Sequence, residues 1–262
     1  MSITSDIHFS TATLLRYAAT GIVCTVAPVL LAVIWRKRTY ESWVVFIVGF
    51  LAYFAAGTVR MMLRMLMFGE GSSLNSSPFL FYLVQGLLSG VCEETARYIA
   101  FMYPLRNRTA RTVPVMYGLG HDFYESLAVG GFASFHYVLD GIDWNNLGAE
   151  EFTRGLDEAG AAKMLEGVAA AADFSFLDSV LVSLDCISGT FIHVALSVIV
   201  FKAVQTGDWK RWLLLAIGLH TAGNFLCGYL PLSDTGMHIF SVVEAAVLGW
   251  LAYRVYKSLP YA

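Results

Sequence analysis

Seven long stretches of the chain are almost entirely apolar, and more polar segments separate them. A helix of about 20 apolar residues is long enough to cross the hydrocarbon core of a bilayer. The pattern therefore predicts seven transmembrane helices, at residues 12–35, 42–68, 79–103, 113–138, 177–201, 211–230 and 236–256. We predict an all-α fold, a polytopic membrane helix bundle of about seven transmembrane helices, in which residues 1–262 form a single integral membrane domain.

One long connection, residues 140–176, lies between the fourth and fifth predicted spans. It carries eight acidic residues and two basic ones. Its alanine-rich part, residues 150–172, favours helix, and a break is expected near Gly160 because glycine weakens a helix. We expect an acidic, external, mostly helical loop that is solvated rather than a lid over an active site.

Basic residues distinguish the two sides of the predicted bundle. They follow the first, third, fifth and seventh spans, as at residues 36–38 and at Lys257, whereas the opposite loops are acidic. Because basic loops remain in the cytoplasm, we expect an external N-terminus and a cytoplasmic C-terminus.

Composition narrows the possible partners. Charged residues make up 14% of the chain, well below the quarter or so of a soluble domain, so the bilayer is the expected environment. The net charge of -3 and the lack of a charge run that could act as an arm give no support to a nucleic-acid partner, and we expect none. Cys24, Cys92, Cys186 and Cys227 lack the paired spacing of a thiolate metal site, and we interpret them as small buried apolar residues.

Ionisable side chains recur inside four consecutive predicted spans, where an unpaired charge costs several kcal/mol. Counted from the cytoplasmic end of each helix, the central ones lie about 12–15 Å deep, which predicts one shared polar site. The residues of this predicted site are Glu93, Glu94, Arg97, His121, Glu125, His193, His220 and Asn224.

Helical spacing refines this prediction. Arg97 lies one turn beyond Glu93 and Glu94 and can pair with either. Two neighbouring carboxylates do not easily both ionise in a dry site, so we expect one to pair with Arg97 and the other to act as a general base. Arg60 and Arg64, in the second span, are expected to extend toward the membrane surface.

Four short motifs on the third to sixth spans form a set. They are Glu-Glu-Thr-Ala-Arg at 93–97, Gly-Leu-Gly-His-Asp-Phe-Tyr-Glu-Ser at 118–126, Phe-Ile-His at 191–193 and Leu-His-Thr-Ala-Gly-Asn at 219–224. Together they resemble the YhfC family of bacterial intramembrane peptidases, which is related to PrsW and to the CAAX prenyl endopeptidase and bacteriocin-processing glutamic membrane proteases. The resemblance implies a multi-pass protein of the bacterial cytoplasmic membrane that cleaves a membrane-embedded or membrane-associated protein or peptide.

The resemblance also implies roles for individual residues. Glu93 would activate a water for attack on the peptide carbonyl, with His193 or His220 orienting that water. His121 and Asn224 would form the oxyanion pocket, where donors stabilise the developing charge.

Three further residues have implied roles in the same comparison. Glu94 and Arg97 would hold the geometry, and Glu125 matches the second acidic motif of PrsW-like proteins. Two residues separate the glutamate pair from the arginine here, whereas the prenyl endopeptidases have three, which argues against a prenylated substrate.

Alternatives to a glutamic, cofactor-free protease stay open at this point. A metal-dependent protease is one, with zinc bound by Glu93, His193 and His220. A proton-coupled membrane transporter is another, because intramembrane Glu, His and Arg can relay protons, although repeated halves are lacking. A non-catalytic scaffold or receptor is the third.

Overall fold

The computed structural model describes residues 7–69 and 71–260, and every regular element in these ranges is helical. A short 3-10 helix at Ser73–Ser76 and a π-helical turn at Ser126–Gly131 accompany the α-helices. The α-helices are α1 (Thr11–Thr39), α2 (Trp43–Met67), α3 (Pro78–Met102), α4 (Val113–Glu125), α5 (Phe132–Leu147), α6 (Ala149–Thr153), α7 (Glu158–Ala172), α8 (Phe176–Thr206), α9 (Trp209–Tyr229) and α10 (Asp234–Tyr256). The predicted all-α class is confirmed.

Five helices of the described chain are long and apolar enough to cross a membrane, namely α1, α2, α8, α9 and α10. The protein is therefore a polytopic integral membrane protein. The third predicted span, α3, carries Glu93, Glu94 and Arg97, which lower its hydropathy. The fourth predicted span is α4, the π-helical turn and α5 in succession. The total of seven spans stays a prediction, as does the orientation of the termini.

Capping residues define where several helices begin. Ser42 caps α2 by accepting a hydrogen bond from the backbone N–H of Val44, and Ser233 caps α10 through the N–H of Gly236. Proline at the first position of α3, Pro78, needs no hydrogen-bond partner for its nitrogen. Such caps satisfy donors that the first turn of a helix leaves unpaired.

The long connection breaks at a different place from the one expected. Its helices α6 and α7 are separated at residues 154–157, and Gly160 lies inside the first turn of α7. The expected break near Gly160 is wrong because the Asp157 carboxylate accepts a hydrogen bond from the Gly160 N–H, at 2.8 Å, and caps the helix. The turn itself occurs at Gly155, whose φ of 82° favours glycine.

The helices form two compact units. The first contains the described part of Met1–Val26 together with Leu127–Cys186. Aromatic rings fill its core: Tyr17 stacks on Phe174 with centroids 4.1 Å apart, and Trp144 is buried in the same apolar cluster.

A disulfide within this first unit joins Cys24 of α1 to Cys186 of α8. The Cα atoms are 5.4 Å apart, although 162 positions separate the two residues in sequence. Our interpretation of these two cysteines as buried apolar residues is therefore wrong. Spacing carries no signal for such a bond, because two distant helices must first pack together to bring the cysteines within reach.

The second unit contains Ala27–Ser126 and the described part of Ile187–Ala262. Its helices approach closely where a glycine faces a neighbouring backbone. A Cβ atom on Gly120 of α4 would collide with the carbonyl group of Phe46 in α2, and one on Gly90 of α3 would lie 2.8 Å from the carbonyl oxygen of Ile217 in α9. This close packing brings the polar positions of these helices within reach of one another.

Candidate active site

Seven of the eight predicted site residues form one network of side chains in the second unit. Four helices supply them: α3, α4, α8 and α9. The residues are Glu93, Glu94, Arg97, His121, Glu125, His193 and His220. The eighth, Asn224, is exposed on α9, and its implied role in an oxyanion pocket stays a prediction.

Arg97 is fully buried and ties α3 to α8. Its Nε lies 3.2 Å from the Glu94 carboxylate, so the arginine pairs with the second glutamate of the pair. Its Nη1 donates to the backbone oxygen of His193 at 2.6 Å and to Ser197 Oγ at 2.7 Å. A guanidinium has enough donors for all these contacts, which makes Arg97 the buried anchor of the network.

Two histidines are each oriented by a carboxylate. His220 Nδ1 lies 2.8 Å from Glu94, and since a carboxylate oxygen accepts, this nitrogen donates. In the same way, His193 Nε2 donates to Glu125 at 2.6 Å. Arg97 Nη2 lies 3.2 Å from the other His193 nitrogen, Nδ1, which must therefore accept.

Glu93 is not the unpaired carboxylate that we expected. Arg60 of α2 contacts its Oε1 at 2.5 Å, and the same nitrogen is 3.1 Å from Ser89 Oγ. The expectation that Arg60 extends to the membrane surface is wrong, because Glu93 and Ser89 hold its guanidinium at the site. The predicted site contains three glutamates but only one arginine. This excess of carboxylates was the signal in the sequence for a second cation.

Glu93, His121 and His193 have the geometry of metal ligands. All three are buried, and one ligand atom from each lies within 4.8 Å of the others. Glu93 Oε2 is 3.5 Å from His121 Nε2. Among the described residues, neither this oxygen nor either ring nitrogen of His121 has a hydrogen-bond partner. Buried polar atoms normally have a partner, so these unsatisfied atoms and this donor set fit a divalent cation.

Asp122 and Glu244 are two carboxylates of the second unit that were not among the predicted site residues. Asp122 is buried next to His121 in sequence and accepts hydrogen bonds from Thr190 Oγ1 at 2.5 Å and Ser126 Oγ at 3.1 Å. Glu244 of α10 packs against Gly223 of α9, where a side chain would occupy the space of the carboxylate. Glu244 was not predicted as a site residue, although an acidic residue inside a predicted span was a visible signal.

The family model of the YhfC intramembrane metalloproteases matches residues 23–248, which contain every residue of the network. The chain belongs to the YhfC family. YhfC proteins are intramembrane proteases, so this protein is an enzyme that hydrolyses peptide bonds. Neither a curated protein nor a solved structure matches the chain.

Membership of the YhfC family corrects one expectation. We expected no cofactor, but the family is one of metalloproteases, and the chain brings a glutamate and two histidines together in ligand geometry. The expectation of a cofactor-free enzyme is therefore wrong. The metal-dependent alternative agrees with the family better than a glutamic mechanism does. The metal-dependent alternative named Glu93, His193 and His220 as ligands, whereas the residues with ligand geometry are Glu93, His193 and His121.

Proposed function

We propose that this protein is a metal-dependent intramembrane endopeptidase whose ion is held by Glu93, His121 and His193. The observation that carries the proposal is the approach of three buried ligand atoms to within 4.8 Å of one another, from three separate helices. Three protein ligands are typical of catalytic zinc sites, which keep a further position for water or substrate.

The surrounding side chains support this donor set. A carboxylate that accepts a hydrogen bond from a ligand histidine fixes the ring and its tautomer, and Glu125 is placed to do this for His193, whose Nδ1 would bind the ion in place of its contact with Arg97 Nη2. His220 Nε2 lies 3.8 Å from Glu93, so this histidine is also close to the proposed ion. When bound, such an ion supplies Lewis acidity that polarises a peptide carbonyl and makes water a better nucleophile.

Hydrolysis also requires a group that carries a proton. A C–O bond forms at the carbonyl carbon, the C–N bond breaks, and one proton moves from the attacking water to the leaving nitrogen. Glu125 is the best placed carrier, because its side chain is 36% exposed whereas those of Glu93 and Glu94 are 1% and 0% exposed. In this proposal Glu93 is a ligand rather than the general base.

The substrate that fits this site is a protein or peptide embedded in or associated with the membrane. The helices that supply His193 and His220, α8 and α9, are apolar and long enough to span a bilayer. A peptide bond must therefore reach the site from within the membrane or from its edge.

Metal content tests the proposal directly. The purified protein in detergent should hold about one transition-metal ion per chain, measured by elemental mass spectrometry. His121→Ala and His193→Ala should each lose the ion, because each removes one of three ligands. His136→Ala is the matched control, since that histidine is 75% exposed in the first unit. Wild-type protein without metal, or both ligand variants with a full complement, would contradict the proposal.

A further inference from the structure

Arg60 brings a guanidinium to the site from α2, a helix that supplies none of the predicted site residues. Its Nη1 contacts Glu93 and Ser89, and its Nη2 lies 3.4 Å from the Tyr53 hydroxyl. The side chain is 29% exposed, whereas the other arginine of the site, Arg97, is fully buried. Arg60 therefore reaches from the buried carboxylate to the accessible side of the network.

Arg97 and Arg60 differ in their hydrogen-bond partners and in their exposure. Arg97 is held by Glu94, by the backbone of His193 and by Ser197, and it has no exposed surface. A guanidinium has five N–H donors arranged in a planar fork. The three contacts of Arg60 leave two N–H donors without a partner among these residues, and part of its side chain is exposed.

A metal ion bound at the site would reduce the need for Arg60 to neutralise Glu93. With Glu93 among the ligands, a bound ion would compensate the negative charge of that carboxylate, and a second neutralising charge would be surplus. The reaction needs positive charge elsewhere, because the carbonyl oxygen of the scissile bond becomes negative as water adds to the carbon. A partly exposed guanidinium beside a ligand is well placed to meet that need.

We propose that Arg60 is a further catalytic residue, which donates hydrogen bonds to the carbonyl oxygen of the scissile peptide bond; this inference rests on the proposed function. As the new C–O bond forms, the electron pair of the C=O double bond moves to the oxygen that Arg60 contacts. When the C–N bond breaks, that pair restores the carbonyl and the leaving nitrogen takes the proton from Glu125. Atoms and charge balance with water as the co-reactant.

The test separates this role from simple support of Glu93. Arg60→Met and Arg60→Lys are compared with Arg64→Met, which removes an exposed arginine one turn farther along α2. Three quantities are measured on each purified variant: bound metal per chain, affinity for a phosphinic tripeptide, and kcat and KM on a pool of internally quenched peptides with an apolar span. The phosphinate oxygens imitate the tetrahedral centre, so the binding measurement needs no turnover.

We expect Arg60→Met to keep its metal and its KM, to bind the phosphinate at least roughly tenfold more weakly, and to lose about 100-fold in kcat. Arg60→Lys should lose less, because it keeps the charge but lacks the fork that reaches two oxygens. Arg64→Met should behave as wild type.

Other outcomes overturn the inference in distinguishable ways. Loss of metal in Arg60→Met would show that the residue only supports Glu93. Unchanged phosphinate affinity in Arg60→Met, or a wild-type protein that holds metal but not the phosphinate, would show that no such oxygen contact exists. Wild-type protein that binds no metal overturns the proposed function, and this inference with it.

Discussion

Replacing Arg97 by methionine should destabilise the second unit strongly and weaken metal binding. Methionine keeps much of the side-chain volume but removes every hydrogen-bond donor. The change would leave Glu94 as a buried carboxylate with His220 as its remaining partner, and the carbonyl of His193 without its charged donor. Both consequences follow from the burial of the guanidinium, which has no exposed surface.

The size of the effect follows from these contacts. Removing one partner of a buried ion pair costs about 3–5 kcal/mol, because the other charge is left without compensation. Arg97 also orients His193, and loss of such a supporting contact lowers metal affinity by about 10- to 100-fold. Arg64→Met, at an exposed position of α2, should change the free energy of unfolding by less than about 0.5 kcal/mol.

A double-mutant cycle with Glu94→Gln isolates the pair. The assay is equilibrium unfolding in mixed micelles, followed by tryptophan fluorescence, for the wild type, both single variants and the double variant. Glutamine removes the charge that Arg97 compensates, so the double variant should be at least about 1 kcal/mol more stable than the sum of the single losses predicts. Strictly additive losses, or a cost below about 1 kcal/mol for Arg97→Met, would show that Arg97 and Glu94 do not form a stabilising buried pair.

Substitutions at three further positions test the packing around and away from the site. Gly120→Ala should destabilise the protein by about 1–3 kcal/mol in the same unfolding assay, because the new methyl group meets the backbone of Phe46; unchanged stability would contradict the close approach. Thr190→Val should cost about 1–3 kcal/mol by removing a donor from buried Asp122, whereas Thr190→Ser should cost less. Trp144→Phe should cost about 1 kcal/mol through loss of its indole hydrogen bond and leave metal content at the wild-type value, since no candidate ligand belongs to the first unit.

Long apolar runs made the helices predictable. The second predicted span, residues 42–68, corresponds to the helix Trp43–Met67, and the seventh predicted span, residues 236–256, corresponds to the helix Asp234–Tyr256. A membrane leaves a long apolar segment few alternatives to a helix, because every backbone polar group needs a partner within the segment. The observed helix bounds differ from the predicted ones where a side chain caps a helix. Asp157 is an example, because it caps α7 and so shifts the break in the long connection.

The site was predictable as a set of residues but not as a set of pairs. Ionisable side chains at similar depths in several helices indicated one cluster, because each alone would be costly in the membrane. Spacing allowed Arg97 to reach either glutamate, and the choice of Glu94 depends on how α3 is turned toward α8. Arg60 and Asn224 show the same limit: one turns toward the network and the other is exposed, although the sequence favoured the reverse.

X-ray absorption spectroscopy of the metal-loaded protein is the most direct test of the central claim, that Glu93, His121 and His193 share one ion. We expect the nearest neighbours of the metal to be nitrogen and oxygen alone, with the multiple-scattering pattern of two imidazoles, and we expect one imidazole contribution to be lost from whatever metal His121→Ala retains. A sulfur neighbour, a shell without imidazole, or a spectrum that His121→Ala leaves unchanged would contradict it.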